Sequence, residues 1–364
     1  MNFFPEPRKH LVKIPAYSAG KTAKDLGKST RPMIKLSSNE ATWGSGDAVI
    51  NALKRYLYSV HLYPNSQSTE LRELLAKANK VKPENIILGN GSNEIIQFIL
   101  QAYVNPDENI LVPSLTFSMY KIYAEMSNIK VREVLMGENF EISLENLKRR
   151  MTKKTKAIFL ASPNNPTGLL LQKMELELFL MGLKKNMLAV IDEAYADFSD
   201  PALKPDFCAM IRNGNYPNLV LLRTFSKAYG MAGLRLGYGI ASDDVIQNLH
   251  RVRQPFNVNG LAIAAAIAAL ENPHHKLDIV TQTRLGRNFI EQKLKSFKIP
   301  FLPSQANFLM VFVKDGKTAF DALAKRDLIV RELTSFGLPE YIRVTVSNPE
   351  HNRKFVNALS EALS

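Results

Sequence analysis

The chain has 364 residues, 46% of them hydrophobic, one cysteine and a formal net charge of +13. That length predicts a large core split over two domains, and the lone Cys208 excludes an intramolecular disulfide and fits a reducing, cytoplasmic setting. Met1 to Leu11 carries Pro and charges rather than the apolar stretch of a signal peptide, and the longest apolar run, Leu261 to Leu270, is far shorter than the roughly 20 residues of a membrane span.

In chain order, Phe3 to Pro32 reads as an arm with little periodicity, in which Tyr17 stands between turn formers. Ile34 to Leu36 predicts a short strand, followed by Ser37-Ser38-Asn39-Glu40 and a loop marked by Gly44 and Gly46. Asp47 to Tyr58 predicts a helix. Tyr63-Pro64 biases the tyrosine toward an extended conformation, where its hydroxyl reaches a ligand or its ring simply packs. Glu70 to Ala78 has helical spacing.

Asn85 to Leu88 predicts a strand, Gly89-Asn90-Gly91-Ser92-Asn93-Glu94 a turn, and Ile95 to Val104 a helix. Free backbone N–H groups and the dipole at such a helix start favour a phosphate, although an ordinary capped helix reads the same way. The dipole alone contributes about 0.3–1 kcal/mol, so side-chain donors must assist. A strand over Asn109 to Val112 leads through Phe117 to a helix ending at Met126, and Lys130 to Leu135 predicts another strand. Phe117 at a strand end is placed to cover an aromatic ring, or to join the core. The densest basic run, Lys148 to Lys156, lacks the interleaved aromatics of a nucleic-acid surface. It reads as a solvated face, and the net positive field suits anionic substrates.

Lys156 to Leu160 predicts a strand running into Ser162-Pro163-Asn164-Asn165-Pro166-Thr167-Gly168. Two prolines and a glycine make that loop rigid, place the Asn165 amide, and offer candidates for a cis X–Pro bond. A helix over Lys173 to Lys185 precedes the strand Leu188 to Ile191, which closes on Asp192-Glu193-Ala194-Tyr195. A carboxylate at the end of a buried strand requires a partner. That partner is a ligand cation, a salt bridge or a helix cap.

The apolar run Leu219 to Leu222 leads to Thr224-Phe225-Ser226-Lys227-Ala228-Tyr229-Gly230-Met231-Ala232-Gly233-Leu234-Arg235. Hydroxyls and an Arg fork hold a phosphate, and a desolvated lysine amine beside them can attack a carbonyl to form a Schiff base. Leu236 to Ala241 is one more strand, a candidate for antiparallel pairing. Alternating strands and helices predict a mostly parallel α/β sheet, with its ligand outside the carboxyl ends of the strands. Every candidate from Ser92 onward falls at such an end. Beyond Phe256, helices over Asn259 to Glu271 and Leu277 to Phe297 lead to a smaller α+β region. It has strands Phe308–Phe312, Ile329–Arg331 and Tyr341–Val346 and helices Lys317–Lys325 and Asn352–Leu363. Arg331 and Arg343 on its strands suit an anion or a surface salt bridge. No internal repeat, metal-ligand cluster or catalytic Cys/His pair is present in the sequence, and His274-His275 reads as a solvated helix start.

Taken together, seven segments resemble the histidinol-phosphate aminotransferase family, fold-type I enzymes that use pyridoxal phosphate. They are Asn39-Glu40, Tyr63-Pro64, Gly91-Ser92-Asn93-Glu94, the Ser162–Gly168 loop, Asp192-Glu193-Ala194-Tyr195, Thr224-Phe225-Ser226-Lys227 and Ile342-Arg343-Val344-Thr345-Val346. The match runs in order over nearly the whole chain. Asn93 departs from the Asp common in the family, and Asn39-Glu40-Ala41-Thr42-Trp43-Gly44 departs from its Asn-Glu-Asn-Pro. Aromatic amino-acid aminotransferases and threonine-phosphate decarboxylases are also similar.

The resemblance implies an arm over 1–36 packing with the small domain, a large cofactor-binding domain over 37–255 and a small domain over 256–364. It implies that Lys227 carries the cofactor and later moves the proton, that Asp192 pairs with the ring nitrogen, and that Asn165 and Tyr195 meet the ring oxygen. Phe117 stacks on the ring, and Gly91, Ser92, Asn93, Thr224, Ser226 and Arg235 hold the phosphate. Tyr63 reaches the phosphate of the neighbouring subunit, which implies a homodimer. Tyr17, Asn39, Arg331 and Arg343 bind the substrate. The expected partners are a small-molecule amino donor and a 2-oxo acid, with no nucleic acid, membrane or metal.

Overall fold

The computed structural model describes residues 5–14, 25 and 33–363. After β1 (Ile34–Lys35), helices α1 (Asp47–Tyr56) and α2 (Thr69–Asn79) lead into β2 (Ile86–Asn90) and α3 (Ser92–Tyr103). Then β3 (Asn109–Pro113), α4 (Met119–Met126), β4 (Lys130–Val134), α5 (Leu144–Arg150), β5 (Thr155–Ala161) and α6 (Lys173–Met181) alternate. The alternation continues through β6 (Leu188–Asp192), α7 (Phe207–Arg212) and β7 (Leu219–Thr224), before β8 (Leu236–Ala241) and α8 (Asp243–Val252). Helices α9 (Gly260–Glu271) and α10 (His274–Ser296) precede β9 (Phe308–Phe312), α11 (Gly316–Lys325) and β10 (Leu328–Ile329). The described chain closes with β11 (Arg331–Leu333), β12 (Leu338–Thr345) and α12 (Pro349–Leu363).

The central sheet has the order β2-β8-β7-β6-β5-β3-β4. Its pairings from β4 across to β7 are parallel, while β8 is antiparallel to both β7 and β2. A sheet covered on both faces needs strands apolar on both sides. That is why Ala157-Ile158-Phe159-Leu160 and Val220-Leu221-Leu222 read as continuous apolar runs. Alternate residues serve opposite layers: Ile158, Leu160 and Leu221 join one core with α2, α6 and α9, while Ala157, Phe159 and Val220 join the other with α3, α4 and α8. The fold is α/β with a mostly parallel sheet, as expected.

A third core gathers under the antiparallel sheet β11-β12-β9. Leu309, Val311, Ile342 and Val344 pack there with Ile290, Phe320 and Phe355. The arm's β1 pairs in parallel with β10 beside this core. Helix α9 belongs elsewhere: Ala262, Ala265, Ala266 and Ala269 pack with Leu71 and Leu75 in a core of the large sheet. Residues 260–271 therefore pack with the larger unit, whereas the expected division put them in the smaller one. Small alanines on several faces let that helix lie close against α1 and α2.

Several bounds differ for physical reasons. Helix α6 stops at Met181 rather than Lys185 because Gly182 follows, a poor helix former. The strand expected over Ile329–Arg331 is two, since 328–329 pair with β1 and 331–333 with β12. Helices α7 and α8 were not expected. Among the described residues no helix is long and apolar enough to cross a membrane.

Candidate active site

The carboxyl ends of β2, β3, β5, β6 and β7 lie along one edge of the large sheet. Because β8 runs the other way, its amino end reaches that edge too, with Gly237 opposite Thr224 and Leu236 opposite Asn90. Arg235, just before β8, is thereby brought beside Gly91 and Ser92. The approach is tight: a Cβ on Gly91 would lie 2.7 Å from Arg235 Nη2, and one on Gly237 would lie 2.3 Å from the Ser92 amide nitrogen. Gly91 also has φ +75°, which favours glycine.

A cavity of about 350 Å³ opens at this edge. Gly91, Ser92, Asn93, Phe117, Asn165, Asp192, Tyr195, Thr224, Ser226, Lys227 and Arg235, all expected from the sequence, line it. At one end, α3 begins behind Gly91, an N-cap whose missing side chain leaves the first amides open to a ligand. The Thr224 and Ser226 hydroxyls and the Arg235 guanidinium join them. Thr224 Oγ1 also accepts from the Ser226 amide at 3.1 Å, which sets the bend.

At the back, Asp192 is 5% exposed. Its Oδ2 accepts from Tyr120 Oη at 2.7 Å and its Oδ1 from the Ala194 amide at 3.0 Å. Burial pushes its carboxyl above the usual range, against those two hydrogen bonds and the attraction of Lys227. Lys227 Nζ donates to the Ser38 carbonyl at 3.4 Å and stands 5.5 Å from the centre of the Tyr195 ring. Tyr195 Oη accepts from Asn39 Nδ2 at 3.0 Å, and its ring packs edge-on against Phe308 at 5.0 Å. Phe117 packs edge-on against Tyr120 at 5.5 Å.

The second unit braces the site from outside the cavity lining. Arg343 on β12 donates to Asn165 Oδ1 at 2.5 Å and to the Ser37 carbonyl at 2.9 Å. With Oδ1 so engaged, Asn165 meets a ligand as a donor. The loop that carries it has cis bonds at both Ser162–Pro163 and Asn165–Pro166. Asn164 braces it with bonds to Thr116, Leu115 and Thr167.

Four expected site residues among those described are outside the cavity lining: Asn39 and Arg343, which bond to residues that line it, and Arg331 and Tyr63. Arg331 is directly opposite Arg343 in the strand register but outside the cavity lining, and its Nη2 donates to Ser335 Oγ at 3.1 Å. Tyr63 is 83% exposed and stacks on Phe256 at 4.7 Å, also outside the lining. Tyr17 lies outside the described residues. His274 and His275 begin α10, as read, and His275 Nε2 lies 3.0 Å from the Gly44 carbonyl in an exposed contact. Sequence reasoning missed Tyr120, whose only signal was its position one helical turn after Phe117. It also left Ser38 and Glu40 without roles, though both line the cavity. Among the described residues no group of His, Cys, Asp and Glu could hold a metal ion.

An anion cradle, an amine and a buried carboxylate in one cavity suit a phosphorylated ring with a cationic nitrogen. The comparisons with known proteins agree. The profile of the aminotransferase class I and II family matches residues 31–359. The histidinol-phosphate aminotransferase of Akkermansia muciniphila is 36% identical over 97% of this chain and 98% of its own. Histidinol-phosphate aminotransferase 2 of Carboxydothermus hydrogenoformans is 37% identical over 98% and 99%. The structure of the Sinorhizobium meliloti histidinol-phosphate aminotransferase in complex with pyridoxal-5'-phosphate superposes with a TM-score of 0.90 at 23% identity, covering 100% of this chain and 98% of that one. The chain belongs to the aminotransferase class I and II family, within its histidinol-phosphate aminotransferase group.

Proposed function

We propose that the protein uses pyridoxal phosphate to move an amino group from histidinol phosphate to 2-oxoglutarate, a step of histidine biosynthesis carried out in the cytoplasm. The observation that carries this is that Lys227, the residues of the phosphate cradle and Asp192 line one cavity. When bound, the cofactor supplies a carbonyl that takes up amines and a ring that draws charge from the substrate carbon.

The chain's own residues do the rest. The α3 amides, Ser92, Asn93, Thr224, Ser226 and Arg235 bind the cofactor phosphate, and Phe117 covers the ring face. Asp192 pairs with the ring nitrogen and keeps its proton in place. That pairing also satisfies a buried carboxylate that burial otherwise penalises. Asn165 and Tyr195 hold the ring oxygen. Lys227 binds the cofactor carbonyl and, once released, moves the proton at the reacting carbon through Nζ. Arg343 positions Asn165 and, with Asn39 and Tyr17, grips the anionic end of either substrate, while Arg331, opposite it in the strand register and outside the lining, adds positive charge. A planar fork suits phosphate and carboxylate alike.

Tyr63 completes the site of a second copy in a homodimer. The division into two domains falls within α10, after α9 and before the strands of the smaller core. Borohydride treatment of the pyridoxal-phosphate-loaded protein, followed by peptide mass mapping, is expected to leave a pyridoxyl adduct on Lys227. An adduct on another lysine, or none, would remove Lys227 from its role.

A further inference from the structure

Two carboxylates line the cavity, Asp192 and Glu40. Asp192 sits at the back, engaged by Tyr120 and Ala194. Glu40 stands at the mouth with its side chain 44% exposed. We propose that Glu40 reads the ring of the amino donor, accepting a hydrogen bond from an imidazole N–H and so favouring such a donor over one with a plain phenyl ring; this rests on the function proposed above.

The placement is close to the chemistry. The Ser38 carbonyl accepts from Lys227 Nζ at 3.4 Å. Glu40 follows two residues later, within about 7 Å of backbone. One small molecule therefore spans from the reacting amine to the Glu40 carboxylate.

The backbone beside Glu40 is held firmly. Asn39 is 1% exposed. Its amide donates to Thr345 Oγ1 at 2.9 Å, its Nδ2 to Tyr195 Oη at 3.0 Å, and its carbonyl accepts from Asn307 Nδ2 at 3.1 Å. Its φ of +54° turns the chain so that Asn39 points inward and Glu40 reaches the mouth. Lys35 Nζ lies 2.8 Å from the Glu40 carboxylate. A pair this exposed is weakly held, and a carboxylate has about four lone-pair positions to share.

Imidazole and phenyl are both flat and apolar on their faces, and the rings of Phe117 and Tyr195 do not tell them apart. They differ in the N–H and in the partial positive charge of the imidazole. A carboxylate detects both, and a site that hydrogen-bonds its substrate rejects the analogue without the donor. The same charge turns the anionic groups of a dicarboxylate away from the mouth and toward Arg343.

The test compares kcat/KM for histidinol phosphate and for phenylalanine in the wild type, Glu40→Gln and Lys35→Met, each loaded with pyridoxal phosphate. Loss of one charge-assisted hydrogen bond predicts that Glu40→Gln lowers the ratio of the two by about ten-fold. The loss should appear mainly in KM, because the ring contact is made equally in ground and transition states. Lys35→Met, which keeps the carboxylate, is expected to hold the ratio within about two-fold. A Glu40→Gln ratio unchanged within that margin overturns the inference. So does a Lys35→Met ratio that falls as far as that of Glu40→Gln, which makes the pair a brace for the loop. A wild type inactive on histidinol phosphate overturns the function reading itself, and this inference with it.

Discussion

Asp192 is a carboxylate held against the preference of its surroundings, and that makes its behaviour readable without turnover. Its folded-state carboxyl titrates above the ordinary value of 3.8, chiefly through burial. The folded form then binds the proton more readily than the unfolded one, so this group's contribution to stability falls as pH rises above 3.8. In cofactor-free protein at pH 7, Asp192→Asn is expected to melt above the wild type, with the gap closing toward pH 4. A bound ring cation reverses that order. Loaded Asp192→Ala is expected to keep the cofactor and lose at least about a hundred-fold in turnover, since the pairing strengthens as charge develops in the ring. Equal melting of the cofactor-free proteins at pH 7, or near-normal turnover in the alanine variant, contradicts this role. Asp192 was legible because a charge ending an apolar strand is unusual. Tyr120 was not, because a tyrosine on an amphipathic helix reads as core, and its partner lies 72 residues away.

The strand ends and the one antiparallel strand make the site at the next scale. Strand periodicity and the turn residues placed β2, β3, β5, β6 and β7, and so the edge where their loops meet. They could not show that β8 presses its amino end onto the start of α3, because nothing in a local pattern reports how closely two backbones approach. Gly237 is where that contact is most sensitive. A Cβ there meets backbone rather than a movable side chain, so the start of α3 must shift. Overpacking of this kind costs about 1–3 kcal/mol. Gly237→Ala is therefore expected to weaken pyridoxal phosphate binding at least about ten-fold by fluorescence titration. Undiminished affinity would mean that the start of α3 does not hold the phosphate. Helices α7 and α8 escaped for a different reason. They cover the sheet between motifs, where no turn or charged residue drew notice, although Asp243-Asp244 ahead of Val245, Ile246 and Leu249 has the spacing of a helix start.

Across the whole molecule, the smaller sheet braces residues of the site from behind the cavity lining. Arg343 reaches from it to Asn165 on the larger unit, and Asn39 is tied to Thr345, 306 residues away. Pairings so distant in sequence carry no local signal. Only the family resemblance brought Arg343 and Asn39 to the site beforehand. The stretch Leu57 to Tyr63 shows the opposite feature, an apolar surface left uncovered by the described residues: Tyr58 is 87% exposed, and Leu57, Val60 and Leu62 are exposed beside Tyr63. Contiguous apolar surface of this kind marks a protein interface. The dimer reading predicts sedimentation at twice the chain mass of 40.9 kDa. It also predicts that Leu62→Asp yields a folded monomer with little turnover, because each site then lacks the partner's tyrosine. A monomeric wild type with full activity would remove Tyr63 from the site.

What the cavity accepts decides the function. A steady-state assay with 2-oxoglutarate as acceptor, following glutamate and carbon dioxide together, measures kcat/KM for histidinol phosphate beside phenylalanine. We expect glutamate to form without carbon dioxide, and histidinol phosphate to be the better donor by at least about ten-fold, since its phosphate offers an arginine fork more charge and one more acceptor oxygen than a carboxylate does. A preference for phenylalanine would make the protein an aromatic aminotransferase, and release of carbon dioxide would make it a decarboxylase.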